Sequence, residues 1–346
     1  MPDIHNILIR SPNWVGDTIF ALPAVRRLRE TFPAARLSIL AAGSLAPLWE
    51  LAGEFDEIIA CDLKGGRRDL ARKFALIRML RSRRFDLAVI LPRSFESALW
   101  MFLAGIPARW GYAEEGRSFL LTRASRSPRG YRRTHRSDYY YHLIDHAAGD
   151  EPAPPGRLKI SPPLLARARE LVRREGGGGA ERHLAGFHPR ASYGPAKCWP
   201  LKKFIRLADR LVHERGMAVL LFGSGKEKKM LQAIADGVGG GAINLAGRTD
   251  LKELAALITL CRFFVANDSG PLHLAAALGV PVIGLYGSTD PAATGPRGDK
   301  ARIIYKAAAC SPCLKRTCPV DFACMGKITP QEVLAEIDSL LANPEY

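Results

Sequence analysis

One stretch of this chain, residues 263–290, constrains the fold more than any other. Two apolar runs, FFVA and VIGLY, flank a polar turn and a short segment rich in alanine and leucine. This order predicts a buried strand, a tight turn, a short helix, a second turn and a second strand, which together form one βαβ unit. Asp268 or Ser269 is suited to cap the N-terminus of the helix, and Gly279 is suited to end it.

The first turn of this unit is a candidate binding site. In open parallel sheets, ligands bind beyond the carboxyl ends of the strands, where the N-termini of the following helices point. Backbone N–H groups at Ser269 and Gly270 suit a phosphate there, and Asp268 can hold sugar hydroxyls by charge-assisted hydrogen bonds. The same three residues can equally form a capped turn without a ligand, and their spacing leaves both interpretations open.

The N-terminal part of the chain begins with a similar arrangement. NILIR predicts a buried strand, residues 11–17 a loop, and residues 18–32 a helix with one apolar and one basic face. The loop lacks both the G-x-G-x-x-G fingerprint and the P-loop pattern, so it carries no nucleotide-binding motif. Asp17 lies where the helix starts. It is either an acid that caps the helix and complements its dipole, or a general base beside a cleft.

Polar residues follow several predicted strands in the C-terminal half. They are His188, Lys197, Glu227 and Asp268. Because the carboxyl ends of parallel strands share one edge of a sheet, we expect these side chains to meet in one crevice. Gly223-Ser224-Gly225-Lys226 lacks the spacing of a P-loop, which argues against an NTPase. Glu227 can accept ribose hydroxyls, or it can be an ordinary acid at a helix start.

Repeated alternation of strands and helices predicts an α/β fold with doubly wound parallel sheets. With 346 residues the chain is long enough for two domains. A Pro/Gly-rich stretch near the middle suggests the joint between them. We predict an N-terminal domain over residues 1–155, a linker region over 156–182, a second domain over 183–330, and a C-terminal helix and tail over 331–346.

The composition is that of a soluble globular protein, with a formal net charge of +16. Such a charge suggests an acidic partner, which can be nucleic acid, an anionic membrane face or a phosphorylated substrate. Residues 64–84 contain nine Lys and Arg and one acid, and residues 117–136 contain seven Arg and none. Such runs are usually solvated faces, and a basic surface is the second interpretation. No nucleic-acid-binding module is recognisable, and neither a signal peptide nor a membrane span is predicted, which indicates a cytoplasmic protein.

The cysteines form a separate feature. Four of the seven lie within residues 310–324, namely Cys310, Cys313, Cys318 and Cys324. Four thiols beginning with CxxC would suit tetrahedral zinc, although the spacing is not that of a zinc ribbon. The other interpretation, which we place slightly ahead, is a loop of reduced cysteines used for packing.

Four motifs in chain order carry a resemblance to a known family. SPNWVGD with ALP, YGPAKCWP, NDSGPLHLAAALGVPVIGLYGSTDP and ACSPCLKRTCP resemble the ADP-heptose:lipopolysaccharide heptosyltransferases, glycosyltransferase family 9, and the heptosyltransferase II branch most. The resemblance covers the whole chain. It implies a GT-B fold, with two Rossmann-like domains facing a central cleft. It also implies inverting transfer of heptose from ADP-heptose to the heptosyl-Kdo-lipid A inner core at the cytoplasmic face of the inner membrane.

The resemblance assigns roles to individual residues. Asp17 matches the family's general base, and Lys197 matches the lysine that neutralises the leaving diphosphate. The N-terminal domain would bind the acceptor. The C-terminal domain would bind the donor through Lys197, Glu227 on the ribose, Asp268 at the heptose, Ser269 and Gly270 at the phosphates, and His273, which supports the site or simply packs. No catalytic metal and no other cofactor are expected.

Other functions remain to be distinguished. They are heptosyltransferase I or a related transferase with a different acceptor, a non-catalytic nucleotide-sugar-binding or anion-binding protein, and a nucleic-acid-binding protein. A nucleotide-sugar epimerase of similar sheet type would need a G-x-G-x-x-G loop after the first strand, which residues 11–17 do not provide.

Overall fold

The computed structural model describes residues 4–62, 69–127, 130–145, 151–176 and 183–342. The chain divides into two compact units, residues 1–156 (unit 1) and 157–346 (unit 2). Parts of our predicted linker (177–182) and tail (343–346) lie outside the described residues, as do four cations of the basic runs. These four are Lys64, Arg67, Arg68 and Arg129.

Unit 1 is built on a parallel sheet of six strands in the order β3-β2-β1-β4-β5-β6. The strands are β1 (Asn6–Arg10), β2 (Arg36–Ala41), β3 (Glu57–Ala60), β4 (Leu87–Ile90), β5 (Ala108–Tyr112) and β6 (Arg123–Ser125). The predicted strand NILIR is confirmed residue for residue. Its last four residues are buried, because helices cover both faces of a parallel sheet.

The helices of unit 1 connect these strands. They are α1 (Val15–Thr31), α2 (Ala46–Ala52), α3 (Leu70–Ser82), α4 (Phe95–Leu103) and α5 (Arg136–Ile144). The predicted helix over residues 18–32 is therefore confirmed, with its start three residues earlier. Helix α5 packs along α1, and this contact brings distant side chains close to the loop after β1.

Unit 2 repeats the architecture of unit 1. Its six parallel strands have the order β12-β11-β10-β7-β8-β9. They are β7 (Leu184–His188), β8 (Ala218–Leu221), β9 (Ala242–Asn244), β10 (Phe263–Asn267), β11 (Val282–Tyr286) and β12 (Ala301–Tyr305). The sheet of unit 1 has the order 3-2-1-4-5-6 of a Rossmann domain, and the sheet of unit 2 has the same order when it is read from its other edge and numbered from β7. The predicted α/β class with two doubly wound sheets is confirmed.

The helices of unit 2 begin with α6 (Pro162–Arg174), which lies within our predicted linker region and packs against α9 of the same unit. The others are α7 (Leu201–His213), α8 (Lys228–Val238), α9 (Leu251–Thr259), α10 (Gly270–Ala277), α11 (Pro291–Thr294), α12 (Ala323–Lys327) and α13 (Pro330–Leu341). In the described part of the chain, no helix is both long enough and apolar enough to cross a membrane.

The central βαβ unit has the predicted form. Strands β10 and β11 pair in parallel, with Phe264 opposite Val282, and every residue of both strands is buried. Helix α10 begins after Ser269 and ends before Gly279, which has a φ of 77°. That left-handed conformation is one that glycine adopts without steric cost, so Gly279 closes the helix as predicted.

One basic residue is not where the charge pattern places it. Arg117 lies in a run that we interpreted as a solvated face, yet it is fully buried. Its guanidinium donates to the carbonyl oxygens of Tyr112 (3.0 Å) and Ser94 (3.0 Å), and also to that of Pro92. Arginine carries five donors in a fixed fork, so it can satisfy several buried carbonyls at once. For this residue the solvated-face interpretation is wrong.

Candidate functional site

The topology of unit 2 singles out one place for a ligand. Strands β7 and β10 are neighbours in the sheet, and the chain leaves them toward opposite edges, β8 on one side and β11 on the other. A crevice opens at such a switch point, outside the carboxyl ends of the two strands. The loop after β7 carries Lys197, and the turn after β10 carries Asp268. The structure brings these two predicted residues together.

Lys197 and Asp268 form an ion pair at the switch point. The Nζ atom of Lys197 lies 2.6 Å from Oδ2 of Asp268, and their side chains are 13% and 5% exposed. Lys197 ends a 3-10 turn, Pro195–Lys197. An ammonium group has three donors, so Lys197 can bind Asp268 and still donate to an anionic ligand.

Asp268 is held from several sides. Besides Lys197, the hydroxyl of Thr289 donates to Oδ2 at 2.7 Å, and Nε2 of His273 lies 3.4 Å from Oδ1. Burial alone raises the pKa of a carboxyl. Here the hydrogen bond from His273 and the charge of Lys197 outweigh it and hold the pKa of Asp268 well below its usual range. Asp268 is therefore a fixed negative charge rather than a proton acceptor.

Asn267 fixes the loop that carries Lys197. Its side chain is fully buried. The amide donates to the carbonyl oxygen of Pro189 at 2.8 Å and accepts from the backbone N–H of Trp199 at 2.9 Å. One side chain at the end of β10 thus ties down both ends of the loop after β7. Lys197, two residues before Trp199, is placed by this contact.

Ser269, one of the two predicted capping residues, is the N-cap residue of α10 by position, but its side chain makes no capping hydrogen bond. Its Oγ atom lies 3.1 Å from Nδ1 of His188 at the end of β7. Burial lowers the pKa of His188 to about 4, so this imidazole is neutral at neutral pH. The serine hydroxyl therefore links the two strands of the switch point.

Glu227 has a structural role that the sequence also allowed. Its Oε2 atom accepts from the backbone N–H of Ser224 at 2.7 Å and from the Ser224 hydroxyl at 2.9 Å. Its Oε1 atom lies 3.6 Å from Nε of Arg190, in the loop after β7. Glu227 therefore braces the turn after β8 and faces the same loop as Lys197.

The N-terminus of α10 completes this edge of the sheet. The first N–H groups of any helix have no acceptor within the helix, and the helix dipole places partial positive charge there. Next to Lys197, these groups make a setting suited to a phosphate or diphosphate.

Thr289, in the turn after β11, was not predicted from the sequence. Its contact with Asp268 spans 21 residues, and no local pattern signals it.

Unit 1 has its own switch point, between β1 and β4. The loop after β1 is held by Arg10, whose guanidinium donates to the carbonyl oxygen of Ser11 at 2.7 Å and to Oδ1 of Asn13 at 2.9 Å. The indole N–H of Trp49 donates to the hydroxyl of Ser11 at 2.9 Å. The loop that resembles the family motif SPNWVGD is therefore well anchored.

Asp17 lies in the first turn of α1 and is partly exposed. Trp14 is the N-cap residue, so the interpretation of Asp17 as the N-cap is wrong, although Asp17 does lie in the first turn, where an acid complements the helix dipole. The hydroxyl of Tyr140, on α5, donates to Oδ1 of Asp17 at 3.1 Å. Burial, and then the charge of Asp17, raise the pKa of Tyr140 well above its usual value. Tyr140 therefore remains a neutral donor that orients the carboxylate.

The cysteines of the cluster are reduced and differ in burial. All seven cysteines are free, with Cys310 exposed and Cys324 buried. Among the described residues, no group of three or more His, Cys, Asp or Glu side chains is placed to bind a metal ion. Cys324 packs beside Gly287, where a Cβ atom would lie 2.7 Å from its sulfur. This packing agrees with the second interpretation, a loop of reduced cysteines.

Known proteins are similar to this chain over nearly its full length. The chain is 35% identical to lipopolysaccharide heptosyltransferase 2 of Salmonella typhimurium over 97% of this chain and 99% of that protein. It is 34% identical to the Escherichia coli K12 protein of the same name, over 98% and 99%. The solved structure of E. coli ADP-heptose LPS heptosyltransferase II matches with a TM-score of 0.83 at 30% identity, over 99% of this chain and 100% of that one.

The fold class follows from the same comparison. The two Rossmann-like sheets of this chain match that heptosyltransferase structure over nearly its full length, so the fold class is GT-B. The family description "Glycosyltransferase family 9 (heptosyltransferase)" matches residues 73–323. This chain is a glycosyltransferase and belongs to glycosyltransferase family 9, the heptosyltransferases.

Proposed function

We propose that this protein transfers L-glycero-D-manno-heptose from ADP-heptose to the heptosyl-Kdo-lipid A inner core of lipopolysaccharide, with inversion at the anomeric carbon. The names of the full-length relatives support the donor and the acceptor class. The observation that carries the donor side is the ion pair between Lys197 and Asp268 beside the N-terminus of α10.

Unit 2 binds the donor in this proposal. Lys197 and the first N–H groups of α10 neutralise the diphosphate, whose negative charge grows as the bond to the sugar breaks. Asp268, with its lowered pKa, accepts hydrogen bonds from heptose hydroxyls. Ser269 and Gly270 provide the start of the helix, His273 holds Asp268, and Glu227 accepts from the ribose. Because these groups supply positive charge at the leaving group, the reaction needs no divalent metal.

Unit 1 binds the acceptor and supplies the base. Asp17 accepts the proton of the acceptor hydroxyl as the hydroxyl oxygen attacks the anomeric carbon from the face opposite the leaving ADP. The bond from that carbon to the ADP oxygen breaks, and ADP departs with the electron pair. The hydroxyl of Tyr140, 3.1 Å from Oδ1, orients the carboxylate for this step.

Unit 1 also contacts the anionic lipid face that carries the acceptor, at the cytoplasmic side of the inner membrane. Three of its aromatic side chains are strongly exposed, namely Trp14, Phe74 and Phe119. On α3, exposed cations that include Arg72 and Arg78 accompany Phe74. Aromatic side chains next to cations suit a bilayer surface with anionic head groups. Nucleic acid is not a partner in this proposal.

The test is a transfer assay with two acceptors, Kdo-lipid A without heptose and the same acceptor carrying one heptose, run in EDTA. We expect turnover only with the heptosylated acceptor and no effect of EDTA. Turnover on the bare acceptor would instead indicate heptosyltransferase I activity. Tight binding of ADP without turnover on either acceptor would contradict the proposed acceptor and leave the donor site in place.

A further inference from the structure

The segment that contains the cysteine cluster, residues 310–324, contacts the candidate donor site. The proposed function uses none of its residues. After β12 the chain returns to the edge of the sheet where the strands end. The backbone N–H of Leu314 donates to the carbonyl oxygen of Ser288, in the turn after β11, at 2.8 Å. Leu314 has a φ of 53°, a conformation that non-glycine residues hold only when their surroundings fix it. The segment is therefore anchored at this edge.

The same segment contacts the turn that carries Lys197. The N–H of Ala196 donates to the carbonyl oxygen of Arg316 at 3.0 Å. The hydroxyl of Tyr193 donates to the carbonyl oxygen of Leu314 at 2.7 Å. A Cβ atom at Gly194 would lie 2.4 Å from the Arg316 oxygen, so only glycine allows this approach. Three residues just before Lys197 are thus held by residues 314–316.

Two cations share one aromatic ring at this place. The Nζ atom of Lys197 lies 5.0 Å from the centroid of the Tyr193 ring, and Cζ of Arg316 lies 5.5 Å from the same centroid. Lys197 is paired with Asp268. Arg316 is exposed, and no carboxylate within the described ranges lies at ion-pairing distance from it. A guanidinium without a carboxylate partner, beside the same ring as the Lys197 ammonium, is suited to an anion.

We propose that Arg316 is a second cation for the diphosphate of the donor, and that Tyr193 is the positioning residue that holds Arg316 and Lys197 together. This inference rests on the proposed function, because it names a further residue of the donor site. A guanidinium binds phosphate oxygens in a bidentate manner, whereas an ammonium acts as a point charge. Two bridged phosphates offer enough oxygens for both.

The first experiment measures the affinities of ADP and adenosine by calorimetry, with competition where binding is weak. The proteins are the wild type, Arg316→Gln and the control Lys315→Gln, which removes a neighbouring exposed cation of the same segment. We expect Arg316→Gln to weaken ADP about tenfold and adenosine less than about twofold, since a charged hydrogen bond to phosphate is lost. Lys315→Gln should change neither affinity. Equal losses in both variants, or no change in the ratio of ADP to adenosine affinity, would overturn the proposal.

The second experiment tests Tyr193 as a positioning residue. Tyr193→Leu removes the ring and should weaken ADP about tenfold, while Tyr193→Phe keeps the ring and should restore most of the affinity. In the Arg316→Gln background, Tyr193→Leu should reduce ADP affinity by a clearly smaller factor than in the wild type, because the two residues act on the same ligand. Fully additive losses would contradict the assignment.

Neither binding experiment involves an acceptor. A protein that binds ADP through Arg316 but transfers no heptose would therefore refute the proposed function and not this inference. Conversely, heptose transfer that is unaffected by Arg316→Gln, in both KM for the donor and kcat, would refute this inference and leave the proposed function standing.

Discussion

The two switch points of this molecule present their carboxylates in opposite ways. In unit 2, Asp268 is almost fully buried and is bound by an ammonium, an imidazole and a hydroxyl. In unit 1, Asp17 is partly exposed and receives the hydroxyl of Tyr140, a neutral donor. Paired charges favour the ionised carboxylate and make it a poor base. The same topology thus presents a buried, charge-paired carboxylate in one unit and a partly exposed carboxylate in the other, and our proposal assigns proton transfer to the second.

The largest expected effect is on Asp17. Asp17→Asn removes the proton acceptor while keeping the size of the side chain, so kcat should fall about 10³-fold with the affinity for ADP unchanged. Steady-state kinetics and ADP calorimetry measure the two quantities. Asp62→Asn is the control, since Asp62 is an exposed carboxylate that follows β3 at the same edge of the sheet. If Asp17→Asn kept a tenth of the activity, Asp17 would not be the base.

Substitution of Lys197 should lower both catalysis and ADP affinity, whereas substitution of Asp17 should lower catalysis alone. Lys197→Gln removes the charge that faces the leaving diphosphate, so kcat should fall about 10²-fold and ADP should also bind more weakly. Kinetics and calorimetry on Lys226→Gln, an exposed lysine in the turn after β8, provide the matched control. If Lys197→Gln lowered kcat but left the affinity for ADP unchanged, it would behave like Asp17→Asn, and the proposed difference between the two switch points would be wrong.

The pH dependence of stability tests how strongly the unit 2 site is buried. The pKa of His188 is about 4 in the folded protein and about 6.5 in an unfolded chain, so the unfolded state binds more protons between these values. Unfolding free energy should therefore fall by up to about 3 kcal/mol as the pH drops from 6.5 to 4.

Urea unfolding followed by tryptophan fluorescence, to which the buried Trp199 of unit 2 contributes, would measure this loss. The variant His188→Asn keeps a polar partner for Ser269 and cannot take up the proton, so its stability should vary less over this pH range. An equal slope in the variant and the wild type would show that His188 is not responsible.

The smallest effect is expected for Tyr140→Phe. Loss of the hydroxyl removes a hydrogen bond that favours the ionised carboxylate, so the acidic limb of the pH profile of kcat/KM should move to higher pH. At neutral pH, kcat should fall only about threefold, because the carboxylate itself remains. A profile that does not move would indicate that Tyr140 packs beside Asp17 without tuning it.

Much of the fold could be predicted because its signals are local. Strand β1 and the central βαβ unit have continuous apolar runs bounded by turn residues, and both were correctly located. Strand β5 was missed, because ARWGY contains an arginine and its first three residues are only half-buried. Helix α5 was also missed, since three consecutive tyrosines give no helical period.

The site could be predicted only in part, for a related reason. The end of a predicted strand indicates where a polar residue such as Asp268 lies, but it does not indicate which distant side chain forms a hydrogen bond with it. The contacts of Ser269 with His188 and of Trp199 with Asn267 span 81 and 68 residues. The contact between Ala196 and Arg316 joins segments still further apart along the chain. Such pairs arise from the order of the strands in the sheet, which no single stretch of sequence encodes.

The Asn267 side chain has a further consequence for the loop after β7. Its two hydrogen bonds hold Pro189 and Trp199 at fixed points, so the reach of Lys197 depends on these anchors and not on the number of residues between them. The entropic cost of closing a loop grows slowly, by about 0.6 kcal/mol for each doubling of its length. We therefore expect a change of loop length near Arg190 to move the ammonium group little, provided that the asparagine and the contacts of Tyr193 and Ala196 with residues 314–316 are kept.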